Sequence, residues 1–123
     1  MAVRGIRGAT VADADQPQEI EKATQELLLA ILNANPDLQI EDLASVFFTV
    51  TTDLKSAYPA STARKLGWGN VPLMCALEIP VPGSLRRCIR VLLHWNTDIP
   101  QSAIRHIYLG AAAVLRPDLN EAN

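Results

Sequence analysis

The chain has 123 residues, with 11 Lys+Arg against 13 Asp+Glu, and 49% of it is hydrophobic. That suits one domain with a real core and excludes a disordered or fibrous chain. An isoelectric point near 5.6 argues against a nucleic-acid partner or an anionic membrane surface, both of which call for a basic face.

The first segment, 2–11, is β-leaning and interrupted by Gly5 and Gly8, with Arg7 between them. Asp15 reads as a helix N-cap, with Pro17 in the first turn and Gln18 three residues on. Ile20, Ala23, Leu27 and Ile31, widened by Leu28 and Leu32, make one helical stripe that Asn35-Pro36 ends. Asp37 reads as the cap of a short helical turn over 40–43, and 44–52 is β-branched and aromatic, hence a strand. Pro59 opens a short helix to Leu66, closed by Gly67-Trp68-Gly69-Asn70. Residues 73–79 read as a strand, 80–83 as a turn, and 87–95 as a long strand with an arginine in its middle. Asp98, Pro100 and Gln101 form a second capping signal, for a helix burying Ile99, Ala103, Ile104 and Ile107 and carrying Arg105 and His106 at its C-terminal end. A last strand is expected at 111–115. The whole reads as a single α+β domain over 1–115, one mixed sheet with helices packed on one face, followed by a tail at 116–123 expected to be mobile.

Charge is unevenly distributed. Residues 13–53 hold nine acids and one base, whereas 54–123 hold eight bases and four acids. Eight of the eleven bases are arginine, whose planar donor fork suits carboxylates and phosphates. Cys75 and Cys88 show no metal-ligand spacing, no signal peptide is expected, and no apolar run approaches the ~20 residues of a membrane span. A reduced, cytoplasmic chain without a metal is expected. Nucleophile elbows, P-loops and dinucleotide fingerprints are absent from the sequence.

Arg90 shares its strand face with Cys88, Leu92 and His94. If that face is covered, the guanidinium needs partners. It either neutralises Glu78 on a neighbouring strand or aims at an anionic ligand. Glu78 is the only acid between Lys55 and Trp95 and sits in an apolar strand, so it should meet Arg90, a ligand hydroxyl, or both.

Arg4-Gly5-Ile6-Arg7-Gly8-Ala9-Thr10, Val71-Pro72 leading to Cys75 and Glu78, and Cys88-Ile89-Arg90-Val91 occur in order. Thr97-Asp98-Ile99-Pro100-Gln101, Ile104 to Leu109, and Val114 to Leu119 follow. Together they make the chain resemble the monofunctional chorismate mutases of the AroH class, from end to end. The resemblance implies a homotrimeric pseudo-α/β-barrel with active sites between subunits, converting chorismate to prephenate on the route to phenylalanine and tyrosine, without cofactor or metal. It implies that Arg90 reaches the ether oxygen and a carboxylate, and that Glu78 accepts from the ring hydroxyl, with Cys75 nearby. Arg7 and Tyr108 would hold carboxylates. Tyr58, Ser61 and Arg64 would come from the neighbouring subunit, and Leu115 and Arg116 from the C-terminal segment. Tyr58 stands where the family often has Phe, Ser61 where some members have Lys, and Met74 where a smaller polar residue is expected. Cys75 and Glu78 are three apart, so a regular strand turns them to opposite faces; a bulge or a contact through the Cys75 backbone would reconcile them.

Overall fold

The computed structural model describes residues 2–116. The expected tail beyond Arg116 lies outside them. Five strands form one mixed sheet: β1 (Val3–Val11), β2 (Leu43–Val50), β3 (Leu73–Leu77), β4 (Cys88–Asn96) and β5 (Ile107–Tyr108). Their spatial order is β3-β2-β4-β1-β5. β4 is the central strand, antiparallel to both β1 and β2, while β3 and β5 join the edges in parallel.

Two helices cover one face. α1 (Pro17–Ala34) buries Ile20, Ala23, Leu27, Leu28 and Ile31, the stripe its 3.6-residue period demands. α2 (Pro59–Lys65) opens on a proline whose missing N–H is an orphan at a first turn anyway. Ile6 of β1, Val46, Phe48 and Val50 of β2, and Ile89, Val91, Leu93 and Trp95 of β4 meet these helices in one continuous core. Each large aliphatic side chain so buried contributes about 1.5–3 kcal/mol. Gly8 lets α1 approach. A Cβ there would lie 3.0 Å from Ile31 Cδ1, 3.1 Å from the Ile107 carbonyl oxygen and 3.2 Å from Leu27 Cδ1.

The other face is largely open. Val3, Phe47, Met74 and Leu92 are exposed on it. A small second cluster sits at one end, where Ala9, Cys88, Tyr108 and Ala112 are buried and Val11, Leu85 and Leu115 pack alongside.

Several local expectations are corrected. The helix expected after Asp98 is a single 3-10 turn, Gln101–Ala103, after which the chain extends and Ile107 and Tyr108 pair with Gly8 and Ala9. His106 and Arg105 therefore end no helix. The last strand expected at 111–115 is a 3-10 segment, Gly110–Leu115, begun by Gly110 at φ +55°. Asp15 does not cap α1; Gln16 occupies that position without a side-chain bond. Asp15 Oδ1 instead accepts from the Lys55 N–H (2.9 Å), the Ser56 N–H (3.0 Å) and the Ser56 hydroxyl (2.8 Å), tethering the approach to α2. The Lys55 N–H foremost, then the Ser56 hydroxyl, hold the Asp15 carboxyl below its usual range. Gln39, not Asp37, precedes the short turn Ile40–Asp42. The strands expected over 44–52 and 73–79 end two residues early, at Val50 and Leu77.

Candidate active site

Strand register builds a row of functional groups across the open face. Thr49 of β2 pairs with Arg90 of β4, Arg90 with Ala9 of β1, and Ala9 with Tyr108 of β5. Paired residues share a face, so the Thr49, Arg90 and Tyr108 side chains stand in line, with Arg7 two residues before Ala9 on the same side. Glu78 follows β3 and donates its N–H to the Val50 carbonyl at 2.9 Å, which continues the pairing past the strand's end. Its carboxylate accepts from the Thr49 hydroxyl and lies 3.5 Å from Arg90 Nε.

Of the two sequence readings of Arg90, the pairing with Glu78 is seen, yet Nε is buried and has no hydrogen-bond partner among the described residues. A buried donor without an acceptor is unfavourable, and an acceptor arriving from a ligand would satisfy it. The Arg90 side chain is 33% exposed, so the fork is reachable from the open face while its base is fixed in the sheet. Beneath it, burial pushes the Cys88 thiol up, against the lowering pull of Arg90, so the sulfur is a neutral packing atom.

The start of β4 is anchored with unusual density. Asp53 accepts from the Arg87 N–H with both oxygens at 3.0 Å and from the Thr51 hydroxyl at 2.6 Å. The Thr51 hydroxyl in turn accepts from the Cys88 N–H at 2.9 Å. Burial alone would raise the Asp53 pKa, but the Thr51 hydroxyl and the Arg87 N–H outweigh it and hold the carboxyl below its ordinary value. Arg87 has φ +50°, a conformation that disfavours a side chain, and its Nε donates to the Ala12 carbonyl at 3.0 Å. These bonds fix the backbone three residues before Arg90.

Arg7, Tyr108, Glu78 and Arg90 are thus brought to one face, with Leu115 packed beside Tyr108 in the second cluster. Tyr58, Ser61 and Arg64 are elsewhere. They lie on and just before α2, which packs on β3 and α1, across the sheet from β5. Tyr58 is 71% exposed, and Arg64 Nη2 donates to the Ser61 hydroxyl at 3.2 Å. Tyr58 and Cys75 border an apolar groove of about 420 Å³ with Val50, Leu54, Ala57 and Leu77. The β2–β3 register runs without a bulge, so Cys75 faces the helix side while Met74 is exposed on the open side with Phe47. One chain therefore keeps Cys75 and Glu78 on opposite faces.

Known proteins bear on this arrangement. The family description Chorismate mutase type I matches residues 3–119. The chain belongs to that family. It is 58% identical over 120 residues to chorismate mutase AroH of Thermus thermophilus, covering 98% of each. It is 44% identical over 121 residues to chorismate mutase AroH of Bacillus subtilis, covering 98% of this chain and 94% of the other. Its fold matches a chorismate mutase from Clostridium thermocellum with a TM-score of 0.86 and 47% identity, over 89% of this chain and 97% of that one.

For a member of the chorismate mutase family, three groups in this site escaped sequence reasoning. Thr49 was an ordinary strand residue until register set it against Glu78. Its signal is parity: Val46, Phe48 and Val50 face the core, so Thr49 must face away. Asp53 and Thr51 carried no local pattern. Apart from their bond to each other, their partners lie more than 30 residues away.

Proposed function

We propose that the chain isomerises chorismate to prephenate by an intramolecular Claisen rearrangement, working in the cytoplasm as a homotrimer whose active sites lie between subunits. The observation that carries this is the Arg90 guanidinium, whose buried Nε meets Glu78 as an ion pair at 3.5 Å without a hydrogen bond, set in line with Thr49 and Tyr108.

In this rearrangement one carbon–oxygen bond breaks as one carbon–carbon bond forms, within one molecule and with no proton transferred. The ether oxygen gains negative charge and the ring fragment becomes relatively positive. A guanidinium at the oxygen and a carboxylate at the ring favour that separation more than the ground state, and only such differential binding speeds the step. Arg90 and Glu78 have the right signs and are rigidly mounted. Their 3.5 Å contact places the cation and the anion on the same part of the open face. Arg7 and Tyr108, on the same face, suit the second task of holding a flexible dianion in its compact reactive shape.

Two features support the trimer. The open sheet face carries exposed Val3, Phe47, Met74 and Leu92, an apolar surface that a neighbouring copy would cover, closing a barrel-like assembly. Tyr58, Ser61, Arg64 and Cys75 sit at the β3–α2 edge, away from Arg7 and Tyr108 on β1 and β5, so two copies are needed to join the sets. Arg116 and Leu115 would then close over the substrate from the C-terminal segment. No helix among the described residues is long and apolar enough to cross a membrane.

The test is turnover by the purified protein. Chorismate should lose its ultraviolet absorbance as prephenate forms, and Arg90→Ala should lower kcat/KM by at least roughly 10²–10³. Binding of prephenate without turnover would overturn the proposal in favour of an anion-sensing module.

A further inference from the structure

The outer edge of β1 is closed mainly by side chains, because β5 is only two residues long. Gln101 acts like a strand residue toward Gly5: its Oε1 accepts from the Gly5 N–H at 2.9 Å and its Nε2 donates to the Gly5 carbonyl at 2.7 Å. At Ala9 the carbonyl accepts from the Leu109 N–H at 2.9 Å. Between them, the Arg7 N–H donates to His106 Nδ1 at 2.9 Å. Of these three closures, only the one on Arg7 uses a group that titrates near neutral pH.

Imidazole Nδ1 accepts a hydrogen bond only when the ring is neutral with its proton on Nε2. An imidazolium would set one N–H against another and release the Arg7 backbone. It would also add a positive charge beside Arg7 on β1 and Arg116 after the last 3-10 segment, the two charges that act on the ring. Arg105 precedes it in the chain, and α1 reaches this stretch through neutral Asn35, which accepts from the Arg105 N–H at 3.0 Å and donates to the Arg105 carbonyl at 3.0 Å. Burial first, and then Arg7 and Arg116, hold the His106 pKa below its usual 6.5.

We infer that His106 is a positioning residue for substrate capture: its neutral Nδ1 fixes the Arg7 backbone in register, and protonation of the ring loosens that grip. The inference rests on the reading of Arg7 as a carboxylate ligand. Because the folded-state pKa is depressed, the contact is complete at neutral pH and fails as pH falls through that lowered value.

The experiment follows KM and kcat for chorismate from about pH 8 to pH 5. In the unmodified protein KM should rise toward acid through a single protonation, with kcat changing less. His106→Asn keeps an acceptor oxygen near the Nδ1 position without titrating, so its KM should stay close to wild type at neutral pH and the acid rise should vanish. His106→Leu should raise KM about tenfold at neutral pH, about the worth of one lost hydrogen bond, and the gap to wild type should close toward acid. An Asn variant that keeps the acid rise would overturn the inference, and so would a Leu variant with a wild-type KM. If His106→Leu does not fold, the Asn profile decides alone. Arg7→Ala separates the two failures. An unchanged KM there removes the reading of Arg7 and this inference with it, whereas a raised KM beside flat His106 profiles removes only the inference.

Discussion

The two faces of the sheet divide the labour. Toward the helices, Ile6, Phe48, Ile89 and Leu93 have no exposed surface and need only shape and apolarity. On the opposite face, often one residue away, stand Arg7, which is exposed, and Thr49 and Arg90, which are half-buried. The period-2 alternation of a strand makes this possible, because neighbouring residues answer to different solvents. β4 shows it best: Ile89 and Val91 lock the strand into the core, and Arg90 between them inherits that rigidity. A catalytic guanidinium needs such a mount, since a preorganised donor avoids reorganisation as the barrier is crossed.

If the division is real, substitutions should sort by face. Leu27→Ala in α1 should destabilise the fold by about 2–5 kcal/mol through the cavity it leaves. Its folded fraction should turn over chorismate at close to the wild-type rate, which denaturant melts paired with kinetics would show.

Asp53 blurs the line, because it sits at the end of the sheet and holds the backbone that leads to Arg90. Asp53→Ala should cost about 1.5–3 kcal/mol, the worth of hydrogen bonds to a charged acceptor, and should lower kcat as well. The Asp53 pKa is depressed in the folded state, so its contribution is full above the ordinary carboxylate pKa and fades as pH falls through the lowered value. Melts of the two proteins should therefore differ at neutral pH and converge in strong acid; a gap independent of pH would assign Asp53 a packing role only.

Thr49→Val sharpens the comparison, since it changes one atom on the open face and leaves the volume alone. Glu78 loses a donor, so kcat/KM should fall about tenfold with the melting temperature nearly unchanged. A large thermal shift with intact kinetics would place Thr49 among the structural residues instead.

What the sequence made legible follows from range. α1 is written in a local repeat, and Arg90 and Glu78 announce themselves because ions inside apolar strands demand partners. The 98–107 stretch misled because Ile99, Ala103, Ile104 and Ile107 keep helical spacing behind a Pro and a Gln. Gln101 is committed to Gly5, 96 residues away, and Ile107 to Gly8, and neither pairing leaves a local trace. Asp15 failed for the same reason, its partners lying about 40 residues on. The small apolar run at 111–115 looked extended, but it folds over Ala9 and Cys88 so that Ala112 is buried against them. Within the site, Arg90 and Glu78 could be named from sequence, while the partners of Thr49, Asp53 and His106 appear only once register has brought them together.

If Arg90 faces the ether oxygen, as proposed, kcat of Arg90→Lys at saturating chorismate tests it most directly. A single ammonium cannot reproduce the fork that faces Glu78 and ligand together, so the predicted loss is at least about a hundredfold, nearly that of Arg90→Ala. A lysine enzyme within about tenfold of wild type would contradict it, since positive charge alone would then suffice.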